Sequence, residues 1–340
     1  MIDMLTDLTV IWALLLALSV FIYVALDGFD LGIGILYPLF PQKKDRDLLM
    51  NAVAPVWDGN ETWLVLGGGG LMAAFPLAYA VLLPALYPPI IIMLLALVFR
   101  GVAFEFRWRS GSRFTRRAWD ASFFWGSLLA SFMQGITLGA LLQGIKVEGR
   151  AYAGGWWDWL TPFTLLTGVA VVCGYTLLGT CYLNWKLEGA IQTRVRHMAR
   201  RLGLATLIFI VAVSLATPFL TGEYYLRWFT WPSMLVAAPV PILLALIALS
   251  FARSLFAKRR DWAPFALALA MFALCFMGLG LSMWPNVIPP SITIWDAASP
   301  RSSQVFMLWG AAIMLPIILS YTGYAYYVFR GKLDPDEGYH

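Results

Sequence analysis

Nine apolar runs, roughly 9–37, 52–75, 78–106, 119–145, 163–185, 202–222, 233–252, 262–283 and 304–329, fill most of the 340-residue chain. Each is about 20 to 29 residues long, and at ~1.5 Å per residue that crosses the ~30 Å hydrocarbon core of a bilayer, with tilt for the longer runs. The fold class is therefore all-α: a polytopic membrane protein of about nine transmembrane helices. The least distinct join lies near Phe75-Pro76, where length and Pro76, Pro84, Pro88 and Pro89 exclude one continuous helix. Composition agrees, because 60% apolar and 13% charged residues leave too little polar surface to cover a soluble domain of this size. The first run lacks a basic leader and a small-residue cleavage site and is too long for a signal peptide, so it reads as a retained span.

The net charge of +5 suggests nucleic-acid binding at first sight, but the basic residues sit at the ends of apolar runs, where they set orientation. With the N-terminus outside, the cytoplasmic segments carry nineteen lysines and arginines and the outer segments four, namely Lys146, Arg150, Arg227 and Arg301. The imbalance predicts an N-out, C-in topology and no nucleic-acid partner.

The chain reads as a single transmembrane domain, 1–340. A first bundle, 1–145, holds the intramembrane charges; a second, 160–285, has none in its span interiors; a ninth helix, 300–330, is peripheral to these two four-helix bundles. A faint repeat relates Gly28-Phe29-Asp30-Leu31 to Gly174-Tyr175-Thr176-Leu177. The spacings Gly28/Gly32 and Gly135/Gly139, and the run Gly67–Gly70, predict close helix approach. Aromatic clusters at Trp156-Trp157-Trp159, Tyr224-Tyr225-Trp228-Trp231 and Trp284-Trp295 fit an interfacial belt at the outer side.

Charges inside a bilayer cost several kcal/mol unless partnered or hydrated, so they mark function. Asp27 and Asp30 lie in the first span, Asp58 and Glu61 in the second, Arg100 and Glu105 in the third. Counting ~1.5 Å per residue from the cytoplasmic border puts Asp58, Asp30 and Arg100 about 10 Å deep, Asp27 and Glu61 about 15 Å deep, and Glu105 at the border. Asp27/Asp30 and Asp58/Glu61 are i,i+3 pairs, each on one helix face. One reading is a proton-uptake path of desolvated carboxylates tuned by Arg100. The other is a structural network in which Arg100 neutralises one carboxylate, Asp30 being the first candidate, and the rest hold helices together. Asp58 and Glu105 fit the path best, although Glu105 also reads as a border residue facing Arg107 and Arg109.

No span offers a histidine to a haem: His197 falls in a basic segment and His340 is the last residue. Cys173, Cys181 and Cys275 lie in apolar runs, which argues against a disulfide framework, and no metal site has ligand spacing. Gly67-Gly68-Gly69-Gly70 is not a phosphate loop, since no strand precedes it and no Lys-Ser/Thr follows.

Three segments carry a family resemblance. Ala25-Leu26-Asp27-Gly28-Phe29-Asp30-Leu31-Gly32, Trp57-Asp58-Gly59-Asn60-Glu61-Thr62-Trp63-Leu64 and Phe99-Arg100-Gly101-Val102-Ala103-Phe104-Glu105-Phe106-Arg107 resemble motifs of the second subunit of cytochrome bd-type quinol oxidases. They occur in order, within residues 20–110, and each carries intramembrane charge. The third motif often has Asp where this chain has Glu105, and either can carry a proton. The short C-terminus is similar to that of the cyanide-insensitive branch. The resemblance implies a haem-free subunit of an enzyme of the bacterial cytoplasmic (inner) membrane that oxidises quinol and reduces O2 to water without pumping protons. It implies a haem-carrying subunit I holding haems b and d, a small single-helix accessory subunit in some members, and a structural quinone in others. It also implies that Asp58 and Glu105 belong to a cytoplasmic proton route shared with subunit I, joined by Glu61 and Asp27. Trp63 would match a tryptophan near a lipid-side oxygen entrance. The rival readings are a proton-coupled secondary transporter, disfavoured because only the first half is charged, and a purely structural assembly subunit.

Overall fold

A computed structural model describes residues 7–257 and 260–333; Lys258, Arg259 and His340 lie outside the described residues. It is built of helices, with two short antiparallel hairpins, β1 (Val147–Glu148) with β2 (Ala151–Tyr152) and β3 (Asn286–Ile288) with β4 (Ile292–Thr293). In chain order the helices are α1 (Leu8–Leu36), α2 (Lys43–Val53), α3 (Trp57–Ala74), α4 (Pro76–Ala85), α5 (Tyr87–Trp108) and α6 (Arg113–Gln143). They continue as α7 (Pro162–Lys186), α8 (Gly189–Ala216), α9 (Gly222–Phe229), α10 (Met234–Ala237), α11 (Pro239–Ala257), α12 (Ala263–Met283), α13 (Ile294–Ala297) and α14 (Arg301–Val328).

Eight helical segments among the described residues are long and apolar enough to cross a membrane. The second apolar run of the sequence corresponds to α3, which is 18 residues long and opens on two carboxylates. The third run is broken: proline cannot continue α3 at Pro76, so α4 starts there, and Leu86 separates α4 from α5, whose first turn holds Pro88 and Pro89. A second difference lies at residues 189–201. Their charge density suggested a connecting segment, yet they form the first turns of α8. Arg196 explains this, because it turns inward and donates to Asn184 Oδ1 at 2.9 Å and Asp261 Oδ1 at 2.7 Å.

Helix ends follow local chemistry. Asp7 caps α1 by accepting the Thr9 N–H at 2.9 Å, and Thr161 and Thr164 form a capping box on α7. Gly144, with φ at +89°, ends α6 in a conformation that disfavours residues with a side chain.

α1 lies against α3, α6 and α7, α5 packs along α6, and α11 along α12. The α1–α7 crossing is a backbone contact. An added Cβ at Gly32 would land on the Tyr175 carbonyl, and one at Gly179 would sit 2.7 Å from the Gly32 carbonyl carbon. Gly135 is equally tight, with its Cβ position 2.5 Å from the Thr167 oxygen. The Gly67–Gly70 run behaves differently: Gly68 and Gly69 meet nothing within 4 Å, Gly67 is in ordinary contact with Val20 of α1, and Gly70 presses on Leu16 of the same helix.

The basic segments gather at one end. Arg107 reaches Asp47 and Asp120, Arg194 donates to the Leu39 oxygen at 2.6 Å, Lys332 reaches Asp261, and Leu333 N–H donates to the Lys186 oxygen at 2.9 Å. At the opposite end Ser299 N–H donates to the Ala74 oxygen at 2.8 Å, and Trp295 Nε1 donates to Asp7 at 2.7 Å.

Candidate functional site

The three motif segments converge. α1 brings Asp27 and Asp30 on one face, α5 brings Arg100, and α3 brings Glu61 from its second turn. Arg100 is fully buried and holds the centre: its guanidinium contacts Asp27 Oδ1 at 2.9 Å, Asp30 Oδ2 at 3.8 Å and Glu61 Oε2 at 3.8 Å. Asp27 and Asp30 are also fully buried, whereas the Glu61 side chain is 27% exposed. Asp27, rather than Asp30, is thus the nearest counter-ion. Three carboxylates around one guanidinium exceed its charge, so the cluster has acidic capacity to spare. Asp30 Oδ1 has no hydrogen-bond partner among the described residues. Buried polar atoms left this way are unusual and mark sites that hold water, protons or strain.

Asp30 is steadied from a second side. Asn60 Nδ2 donates to Asp30 Oδ2 at 2.7 Å, and Tyr326 of α14 donates its hydroxyl to Asn60 Oδ1 at 2.9 Å. Above Asp27, Gln134 Nε2 donates to the Tyr23 hydroxyl at 2.7 Å and Gln134 Oε1 accepts from Tyr175 at 2.8 Å. Neither Asn60, Tyr326 nor Gln134 stood out in the sequence, because neutral polar residues carry no hydropathy signal.

Asp58 and Glu105 are placed elsewhere. Asp58 occupies the first turn of α3, where a negative charge suits the helix N-terminus, and its side chain is on the exposed face of the chain. Glu105 is 61% exposed and pairs with Arg109 at 3.6 Å. Both therefore lie outside the Arg100 cluster. Trp63 is 2% exposed, and its indole N–H has no partner among the described residues.

A second charged layer lies toward the basic end. Arg107 is 1% exposed and contacts Asp47 and Asp120, each at 2.7 Å. Arg46 joins Asp120 at 3.0 Å, and the Tyr37 hydroxyl donates to it at 3.2 Å. This layer was missed. Its signal was the seven-residue spacing of Arg100 and Arg107, two turns that return a side chain to the same helix face. Phe104 separates the layers, stacked on Trp57 at 4.9 Å and edge-on to Phe123 at 5.0 Å, with Arg100 5.8 Å from its ring centre.

Among the described residues no group of three or more His, Cys, Asp or Glu side chains could hold a metal ion. His197, on α8, is exposed, with Nδ1 2.7 Å from the Thr193 oxygen.

Comparison with known proteins accords with this geometry. Subunit 2 of the cytochrome bd-I ubiquinol oxidase of Escherichia coli (strain K12) is 30% identical over 362 residues, covering 96% of this chain and 95% of that protein. Subunit 2 of the cytochrome bd ubiquinol oxidase of Bacillus subtilis (strain 168) is 28% identical over 338 residues, covering 96% and 97%. The bd oxidase structure from Geobacillus thermodenitrificans shares the fold, with a TM-score of 0.78 at 19% identity over 94% of this chain and 98% of that one. The family model for cytochrome bd terminal oxidase subunit II matches residues 8–329, and the chain belongs to that family.

Proposed function

We propose that this chain is the haem-free subunit II of a bd-type terminal quinol oxidase of a bacterial cytoplasmic membrane, N-out and C-in, and that it helps deliver cytoplasmic protons to a haem-carrying subunit I. The observation that carries the reading is the exposure of Asp58. It sits one turn from Glu61, which contacts Arg100, and Arg100 lies eight residues inside the end of α5, about 12 Å at ~1.5 Å per residue. A carboxylate at that depth does not face lipid; it faces protein or a water-filled cavity. A partner subunit over α3 supplies that cover, and Asp58 and Glu105 then line the joint between the two chains.

The exposures support a division of labour. Asp58, Glu105 and the half-open Glu61 form the outward route, while Asp27 and Asp30, fully buried against Arg100, hold the first bundle in register. Phe104, packed between the two charged layers, opposes a route straight down the interior. Among the described residues the one histidine, His197, is exposed at the basic end of α8. The redox chemistry, quinol oxidation and O2 reduction at haems b and d, belongs to subunit I, and this chain's residues hold and pass protons.

The test uses the complex isolated through a tag on this chain. Asp58→Asn and Glu105→Gln are expected to lower quinol oxidase turnover by about tenfold or more, a barrier of at least ~1.4 kcal/mol, with haem spectra and subunit ratio intact. Unchanged turnover, or loss of the complex, counts against the proton role. Isolation of the chain without a haem partner, together with solute transport in liposomes, would replace the oxidase reading by a transporter.

A further inference from the structure

At the end of the bundle away from the basic segments, a cavity of about 280 Å³ opens where α6, the β1–β2 hairpin and the N-terminus of α7 meet. That size is close to the ~300 Å³ lower end of small-molecule sites. Its floor is apolar, including Leu86, and its walls include Gln143, Lys146, Tyr152, Asp158 and Thr161. Lys146 and Asp158 form an ion pair at 3.4 Å on the rim, their side chains 75% and 40% exposed. Asp158 is fixed from behind, accepting the Gly155 N–H at 3.1 Å, and the Tyr152 hydroxyl donates to the Gly155 oxygen at 2.7 Å. Thr161 donates its hydroxyl to Gln143 Oε1 at 2.5 Å, which orients the amide. The Gln143 Nε2 donors take no partner among the described residues.

The setting is that of a headgroup. Trp156 and Trp157, 62% and 64% exposed, stand beside the cavity, and Tyr87 lies 6.3 Å from the Trp156 ring. Exposed aromatic rings of this kind mark the membrane–water interface. The charge at the rim is one cation and one anion, so the site is neutral overall and paired. An anionic headgroup would bring a phosphate for Lys146 but no cation for Asp158. A choline headgroup would bring a cation without N–H donors for Asp158. A phosphoethanolamine group matches both: its phosphate accepts from Lys146 and Gln143, and its ammonium donates to Asp158, exchanging one exposed ion pair for two charge-assisted contacts.

We propose that this cavity binds the phosphoethanolamine headgroup of a membrane phospholipid, with Lys146 and Gln143 on the phosphate, Asp158 on the ammonium, and the acyl chains leaving along the Leu86 side. The site is independent of the proton route and of the Arg100 cluster.

The test is lipid retention by the intact, tag-isolated complex, read by native mass spectrometry after exchange into vesicles of dioleoyl phosphatidylethanolamine, phosphatidylcholine or phosphatidylglycerol. Wild type is expected to retain phosphatidylethanolamine about tenfold better than either competitor, a difference of ~1.4 kcal/mol. The double variant K146Q/D158N, altered only at rim side chains, is expected to lose that preference while haem spectra stay unchanged, and Lys146→Arg is expected to keep it. Equal retention of the three lipids, or a preference that survives in K146Q/D158N, overturns the proposal. Soluble phosphoethanolamine binding as tightly as the vesicle lipid would overturn a membrane phospholipid as the source.

Discussion

Tyr326, near the end of the last helix, acts on Asp30 of the first through one intervening amide: its hydroxyl donates to Asn60, and Asn60 donates to Asp30. Only Gln304 of α14 is buried, so this helix has little packing of its own to hold it. The polar relay joins it to the bundle beside the charge cluster. Losing one such hydrogen bond typically costs ~0.5–1.5 kcal/mol, and stranding a buried polar partner costs ~1–3 kcal/mol. Tyr326→Phe is therefore expected to lower the thermal stability of the isolated complex slightly. Asn60→Leu, which strips a donor from the buried Asp30, is expected to lower it more. Equal melting temperatures for the two variants would sink this ordering.

Arg100 offers a sharper test of the structural half of the cluster. Removing one partner of a buried ion pair leaves the other charge uncompensated and costs ~3–5 kcal/mol. Arg100→Leu strands Asp27 and Asp30, both fully buried. The expected outcome is little or no complex recovered through the tag. Arg100→Lys keeps the charge but not the planar fork that spans three carboxylates, so recovery should be partial. Normal yield of Arg100→Leu would show that the carboxylates are neutral in the membrane.

Much of this was readable from residue order alone. Long apolar runs give helices because nothing else crosses a bilayer with its backbone satisfied, and the three motif segments announced their meeting through their charges. What stayed hidden depends on facing. Arg107 reads in the sequence as one more border charge, and only the fold shows it turned inward between Asp47 and Asp120. Residues 189–201 looked like a loop until Arg196 found Asn184 and Asp261. Asp58 and Glu105 are carboxylates in the same motifs as those of the cluster, and only the packing separates these two, which face outward, from the three around Arg100.

Asp261 gives a pH-dependent expectation outside the membrane. Burial pushes its carboxyl up, but hydrogen bonds from Lys332 and Gln192 and the charges of Lys332 and Arg196 outweigh that and hold it below its ordinary value. A carboxyl depressed on folding stabilises above its unfolded value, about 3.9, and the contribution is lost as pH falls through the lower folded value. Lys332 meets Asp261 at 2.9 Å and carries the segment after α14. Hydrogen exchange at residues 329–333, taken relative to the intrinsic exchange rate at each pH, should therefore be flat down to about pH 4 and rise below it. In Asp261→Asn it should be raised throughout. A wild-type rise near neutral pH would contradict the assignment.

The glycines of α1 and α3 make opposite predictions. At Gly32 the space is closed by the backbone of α7, which has no rotamer to shift aside, so even Gly32→Ala forces the helices apart. Overpacking of this kind typically costs ~1–3 kcal/mol, and the variant should melt lower whether or not subunit I is bound. At Gly68 nothing in the chain lies within 4 Å. An alanine there should favour the helix by up to ~1 kcal/mol if lipid or water is the neighbour. If a partner subunit covers the stripe that also carries Asp58, the same methyl meets the partner, and Gly68→Leu meets it harder. Recovery of haem with the tagged chain is the measurement. Loss of haem in Gly68→Leu, with the chain itself still folded and inserted, places subunit I on this face. Full recovery moves the interface away from α3 and with it the cover that Asp58 requires.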